Sequence, residues 1–488
     1  MRLLLLLFLL YGGSTVVRAN NISVDNVTTT QLDTVTNTVR VSFDLSWQNS
    51  WRLSTGPANH DAAWVFVKYR IGTAGSWHHA TVSGGQAVAG SQLAVTADRL
   101  GAYVSRDAEG AGFVDYDGLT LVWEYGQDGV EDYEVVSVRV VALEMVYVPA
   151  ASFRLGSGGD REYYPFVQVP VSGDSLPYQV VSEAAIPVGQ ATGNLAYGRG
   201  IGGQGGDEAG PIPAGFPKGF AAFYCLKYEV SQRQFATFYN TLTPGQQTAL
   251  DLTDAEGKNS TAEVDRNALN LVDGLLVSDN PYVALNYISP RRAWAYLDWA
   301  GLRPMTELEF EKAARGSLIP VADEFTWGTT NVQQSAYTLA NVGLLSEEIT
   351  NGGPNTGNVL YLSSQPTAHP GPARVGLAAS ARYTDIRQEV GAGYYGVMGL
   401  SGNVAELVVS VGDATGRAFT GVHGNGDLPE SGLTDVPNWP SATAGYGKRG
   451  GSYLTTWQEL MTSDREFANY STSVGEADLG FRGVRTAE

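Results

Sequence analysis

Apolar and polar residues alternate strictly over residues 39–47. Val39, Val41, Phe43, Leu45 and Trp47 fall on one side, and Arg40, Ser42, Asp44 and Ser46 on the other. Successive side chains of a strand point to opposite faces, so this period of two predicts a strand with one buried face. The pattern recurs at Val65, Val67, Tyr69 and Ile71, at Leu119, Leu121, Trp123 and Tyr125, and at Val136, Val138 and Val140. Turn-rich stretches separate the runs, and no helical period of useful length interrupts them. Residues 20–142 are therefore expected to form a β-sandwich of immunoglobulin-like or fibronectin-like type.

From about Leu143 the pattern changes to glycine-rich loops with three short helices marked by their caps. Ser231 with Gln234 is a capping box ahead of Phe235 and Phe238, and Thr306 with Glu309 is a second, in a helix that Gly316 ends. Ser289 followed by Pro290 starts another, carrying Trp294 and Leu297. The loops between them exceed the usual length of compact connections. Their backbone groups need internal hydrogen bonds or bound ions. The chain thus reads as mainly β with long loops and a few short helices (α+β), in two domains, residues 20–142 and 143–488.

Ahead of both domains, Arg2 precedes an apolar run at residues 3–10, and small residues lead to Val17-Arg18-Ala19. This is the pattern of a secretory signal peptide, residues 1–19, with cleavage expected after Ala19. The run is too short for a permanent anchor, and no later stretch is long and apolar enough for membrane insertion. The expected location is outside the cytoplasm: secreted, at the cell surface or in a periplasm. The single cysteine, Cys225, cannot form an internal disulfide and sits in an apolar run that suggests a buried thiol. A net charge of −19 argues against nucleic acid, because nothing would neutralise phosphates, and equally against anionic lipid. Only 17% of residues are charged, which leaves the surface to Ser, Thr, Asn, Gly and Tyr.

A series of short motifs then follows in order. Met145-Val146-Tyr147-Val148-Pro149 leads to Phe153-Arg154-Leu155-Gly156, and Tyr228-Glu229-Val230-Ser231 opens the first helix. Gly301-Leu302-Arg303-Pro304 runs into Thr306-Glu307-Leu308-Glu309-Phe310, followed by Phe325-Thr326-Trp327-Gly328 and Ala340-Asn341-Val342. Gly402-Asn403-Val404-Ala405-Glu406, Arg449-Gly450-Gly451-Ser452 and Gly480-Phe481-Arg482-Gly483-Val484-Arg485 close the series. In order and spacing, residues 143–488 resemble the formylglycine-generating enzyme (sulfatase-modifying factor) family. The closing segment is similar to that of a secreted, two-domain bacterial subgroup. The resemblance implies an irregular variant of the C-type lectin fold and does not reach residues 20–142.

It also implies what chemistry to look for. The family's oxygen-dependent enzymes hold copper(I) with two cysteines just after the Arg-Gly-Gly-Ser strand, since soft thiolates select that metal. The matching positions here are Thr455 and Leu460, so neither copper nor oxidation of a substrate thiol is expected. A second branch holds iron through histidines. Of His60, His78, His79, His369 and His423, only the last two fall in this domain, and His78-His79 on a strand would point to opposite faces. Iron is not expected either. Calcium is the metal left open. One implied site uses the Gly402 and Val404 carbonyls with the Glu406 carboxylate, and another begins at Asn341 and the Val342 carbonyl, as hard oxygen ligands on tight loops suit calcium. Gly399 stands where the family has Asn or Asp, which removes one ligand.

Between Ser452 and Gly480 lies the stretch that faces the ligand in lectin-like folds. Tyr453, Thr455, Trp457, Glu459, Tyr470, Glu476 and Asp478 combine aromatic platforms with polar groups, a mixture suited to sugar or protein recognition. Asp464 and Arg465, with Arg449, Arg482 and Arg485, read either as part of a ligand pocket or as an internal ion-pair network tying down the last strands. The expected function is a secreted, non-catalytic recognition protein presenting a lectin-like face to a glycan or protein ligand. Two alternatives stand beside it: a metal-dependent oxidoreductase of the same family with an altered site, and a structural subunit of an extracellular assembly joined through sandwich edges.

Overall fold

The structure, a computed structural model, describes residues 21–159, 163–173, 176–380 and 386–488. The expected leader, residues 1–19, lies outside the described residues. Nine strands open the chain: β1 (Ser23–Asp33), β2 (Thr38–Arg52), β3 (Asp61–Ile71), β4 (His78–His79), β5 (Val82–Gln86), β6 (Ser91–Val95), β7 (Ala102–Arg106), β8 (Gly110–Trp123) and β9 (Val136–Val148). One sheet has the order β1-β2-β8-β5. The alternating residues of β2 and β8 point from it into a core with Ala63, Val65 and Val67 of β3 and Ala102 and Val104 of β7. The strand pattern of the sequence is thus met, and the sandwich it predicts has two facing sheets.

The second sheet does not stop at the sandwich. After β9 come β10 (Phe223–Leu226), β11 (Arg303–Pro304), β12 (Ala405–Val409), β13 (Tyr446–Arg449), β14 (Leu479–Gly480) and β15 (Gly483–Thr486), along with several short two-stranded ribbons. The second sheet runs β11-β15-β10-β9-β3-β7-β6, with β4 added beside β3. β9 pairs with β3 over Val136–Val146 and with β10 over Met145–Val148, so the expected boundary at residues 142 and 143 falls inside one strand. The β3 residues that should face water, Ala62, Trp64 and Phe66, are instead buried in the core of the second half. Trp64 Nε1 donates to the Ala300 carbonyl at 2.8 Å, and Lys68 Nζ to the Trp299 carbonyl at 2.8 Å. Burying each large side chain contributes roughly 1.5–3 kcal/mol, so this face ties the halves together.

Helices α1 (Gln232–Tyr239), α2 (Pro244–Ala249), α3 (Pro290–Trp299) and α4 (Glu307–Arg315) pack against the sheet. The capping boxes of α1 and α4 form as the sequence predicts. α2, which opens with a third box from Thr243 and Gln246, is one the sequence reading missed.

The loops are tied by buried ion pairs. Arg449 donates to Glu307 at 3.1 Å and to Glu311 at 2.9 Å. Arg465 Nε donates to Glu307 at 2.7 Å, and Arg315 to Glu311 at 3.1 Å. All these side chains are buried. Removing one partner of such a pair strands a charge in the interior, at a cost of about 3–5 kcal/mol.

Candidate functional site

β12 pairs antiparallel with β13 and parallel with β14. Past β13 the chain turns at Gly450 and Gly451, both with positive φ, +87° and +62°. A side chain at Gly450 would sit 2.3 Å from the Leu400 carbonyl oxygen, so only glycine fits. Ser452 then fastens the turn: its N–H donates to Thr455 Oγ1 at 2.8 Å and its hydroxyl to Asp478 Oδ2 at 2.8 Å. A 3₁₀ turn, Trp457–Leu460, follows. This folding brings Thr455, Glu459, Asp464 and Asp478 around one small cavity of about 20 Å³, with Lys448 and Arg449 in its wall.

The cavity is electrostatically unusual. Asp464 is only 4% exposed; its Oδ1 accepts from the Glu466 N–H at 2.7 Å, while its Oδ2 has no hydrogen-bond partner. Burial pushes its pKa up to about 7, with Glu459 and Glu466 adding to the shift and Arg449 opposing it. Glu459 is likewise raised to about 7, first by burial and then by Glu466 and Asp478, against Lys448. Arg449 and the Glu466 N–H oppose the shift without cancelling it, and Arg449 is shared with Glu307, Glu311 and the Thr462 carbonyl. Near neutral pH these carboxyls are shared between acid and carboxylate forms. They can both donate and accept hydrogen bonds.

The predicted ligand residues separate into groups. Thr455, Glu459, Asp464 and Asp478 converge on the cavity. Trp457 stands on the 3₁₀ turn at 39% exposure. Tyr470 and Glu476 join each other and Lys448: Tyr470 donates its hydroxyl to Glu476, Lys448 Nζ lies 3.2 Å from Glu476 Oε2, and the ammonium sits 4.5 Å from the Tyr470 ring centroid. One expectation is corrected, and of the two readings offered for Arg465 the internal ion pair is the one that forms. Tyr453 is buried, with its hydroxyl spent on the Ala477 carbonyl at 3.1 Å, so it packs rather than binds. Arg465 is fully buried between Glu307 and the rings of Phe166 and Tyr197. Lys448 was missed by the sequence reading, although it is the one lysine after Lys312 and directly precedes the Arg-Gly-Gly-Ser motif.

Neither position matching the family's cysteines could hold a soft metal. Thr455 Oγ1 is engaged with Ser452, and Leu460 is buried with Phe325, Trp327 and Tyr361. Cys225 is buried in β10 and its thiol is pushed up to about 12 by burial. His369 is exposed, and His423 Nε2 accepts from the Thr486 N–H at 2.9 Å.

The calcium ligands implied by resemblance do not fit the ion well. Both oxygens of Glu406 accept from Arg482 Nε at 2.7 Å, so a guanidinium already balances the charge beside Gly402 and Val404. A side chain at Gly399 would lie 2.5 Å from Glu229 Oε2, so Glu229 stands where the family's extra ligand would be, and burial raises its pKa. Asn341 is exposed and donates its amide to the Ser346 carbonyl at 3.1 Å. Val342 beside it is half-buried. The nearby carboxylate, Glu347, is consumed by Arg266, the Gly343 N–H and the Arg374 N–H. Among the described residues no three His, Cys, Asp or Glu side chains are grouped to hold a metal ion. Calcium takes six to eight oxygen ligands, and at both places arginine supplies the balancing charge instead.

A loop-rich mixed domain, tied by buried arginines and carrying an acid-lined cleft beside a Gly-Gly turn, defines the class of protein. A family model for the sulfatase-modifying factor enzyme 1-like domain matches residues 185–487, and the chain belongs to that family. No curated protein matches the chain.

Proposed function

We propose that this chain is an exported recognition protein, with the cleft around Glu459, Asp464 and Asp478 as its binding site and Trp457 as the platform beside it. The observation that carries this reading is the replacement of the family's thiol pair by a hydroxyl engaged with its own turn and a buried leucine. Oxidation of a substrate thiol through bound copper has no ligands here. What remains is a recess with room for a single hydroxyl or ammonium group, in which the Glu459 and Asp464 carboxyls can both donate and accept. An exposed indole on the same 3₁₀ turn as Glu459 suits a sugar ring or a protein side chain. Export rests on the leader pattern of residues 1–19. Among the described residues no helix is long and apolar enough to cross a membrane.

The test is a glycan and peptide array probed with the full chain, repeated with Trp457→Ala and Glu459→Gln. Each substitution is expected to weaken the selected ligand about tenfold, equivalent to ~1.4 kcal/mol. Binding indifferent to both would reject the site. Conversion of a cysteine peptide to an aldehyde by the purified chain would reject the function.

A further inference from the structure

The sandwich is open along one side. β1 is the outer strand of the first sheet, pairs only with β2, and lies against β9 of the second. Residues 136–143 of β9 pair with β3 on one side and, among the described residues, with no strand on the other. β10 occupies that outer track only beside Met145–Val148, after which the chain leaves toward α1. Beside residues 136–142, a length of about 23 Å at ~3.3 Å per residue, no strand of the described residues pairs with β9 on that side, and β1 approaches it there without joining the ladder.

Two cavities mark the same seam. One of about 370 Å³ lies between residues 29–32 of β1 and the side chains of Trp123, Tyr125, Val130 and Val136. Another, of about 160 Å³, lies between Ile22 and Val24, at the start of β1, and residues 140–143 of β9, against α1 and Trp299. Protein interiors are close-packed, so a sandwich side with two such spaces is under-filled.

The two edges along the seam differ. β1 breaks register twice, between Asp25 and Thr28 and between Thr30 and Asp33, with Asn26 and Gln31 at φ +51° and +52°. Bulges of this kind deter a further strand from pairing. β9 runs unbroken against β3 from Val136 to Val146 and contains no proline. Its backbone directions follow from three bonds. The Glu144 carbonyl accepts from the Lys227 N–H on the outer side, whereas Val135 accepts from Gly72 and Tyr147 donates to His60 on the β3 side. Backbone groups alternate along a strand, so Val136, Val138, Val140 and Ala142 present their N–H and C=O groups to the outer, unpaired side.

We propose that residues 136–142 of β9 are a strand-acceptor site, at which an extended segment of a partner protein adds to the sheet and closes the sandwich. Main-chain hydrogen bonds supply the affinity, and side chains at alternate positions fill the seam. Those positions take apolar groups, because Val39, Trp123, Val136 and Val138 line or border the space. The outer end takes Lys or Arg, since Glu131, Asp132 and Glu134 rim the larger cavity and no basic side chain lines it. A second copy of this chain is a poor occupant, because each copy carries a net charge of −19. The site is separate from the C-terminal cleft and does not depend on its assignment.

The probe is a capped peptide, Val-Thr-Val-Thr-Val-Thr-Lys, which in antiparallel pairing brings its lysine to Glu131. Fluorescence anisotropy with the full chain should show saturable binding, and amide exchange should slow at residues 136–143. Val138→Pro removes an outward N–H and leaves the pairing with β3 intact; it should weaken binding about tenfold, whereas Val138→Thr changes it less than about threefold. Glu131→Lys should weaken binding most at low salt. A peptide N-methylated at two consecutive central residues tests the same hydrogen bonds on the unaltered protein, and it should not bind. Absence of binding at millimolar peptide, protection elsewhere in the chain, or equal binding of the N-methylated peptide would overturn the proposal.

Discussion

Asp464→Asn isolates the electrostatics of the cleft. The aspartate is nearly fully buried, and its pKa rises from 3.8 to about 7, chiefly through burial. A tenfold change in proton affinity is worth about 1.36 kcal/mol, so the ionised side chain destabilises the fold by up to about 4 kcal/mol. The sign follows from proton counting. Between about pH 4 and pH 7 the folded protein holds a proton that the unfolded chain has released, so stability falls as pH rises through that window. Above pH 7 the whole penalty applies, and below pH 4 none does. Asparagine keeps the oxygen that accepts from Glu466 and nearly the same volume, and it carries no charge. The variant should therefore lie within about 1 kcal/mol of the parent near pH 4.5 and exceed it at pH 8 by about 2–4 kcal/mol. Urea denaturation of both proteins across pH 4.5 to 8 reads the difference directly. A variant less stable than its parent by the same amount at every pH would refute the reasoning, because the carboxylate would then be satisfied by a bound positive group.

Three further outcomes are expected. Arg482→Met should destabilise the protein by about 3–5 kcal/mol by stranding Glu406 in the interior, and adding Glu406→Leu should recover most of that loss in the same denaturation assay. Because Arg482 and Arg266 already balance the implied calcium ligands, EDTA should leave the thermal midpoint unchanged and elemental analysis should find no stoichiometric calcium; a shift of several degrees would show that an arginine yields to the ion. Cys225, buried with its pKa raised to about 12, should react with a chromogenic disulfide reagent only at the rate of unfolding, and rapid native labelling would contradict its placement in β10.

What the sequence made legible follows the range of the interactions involved. The boxes of α1 and α4 join residues three apart, so their signal is local and complete. The alternation of β2 reports one buried face because its other face does meet water. β3 carries the same period, yet both of its faces are covered: Val65 and Val67 fill the sandwich while Trp64 and Phe66 fill the second half. Nothing within residues 61–71 announces the helix and loops that cover the second face, since these lie more than two hundred positions away. For the same reason Tyr453 reads as surface chemistry although a distant loop covers it, and the sequence leaves Arg465 open between a ligand pocket and the internal ion pair it forms with Glu307 between Phe166 and Tyr197.

Composition alone shows an acidic chain of few charges. It does not show that arginines are placed inside against glutamates, where each ties a long loop to the frame. That placement bears on function. Loops held by internal guanidinium groups need neither bound calcium nor regular secondary structure to keep their shape. Thr455, Glu459, Asp464 and Asp478 are presented from such loops, with Thr455 held by the Ser452 N–H, Asp478 by the Ser452 hydroxyl and Asp464 by the Glu466 N–H. A cleft organised in advance loses little conformational entropy on binding. The domain can thus retain a preformed recess even though the thiols around which its relatives work are absent.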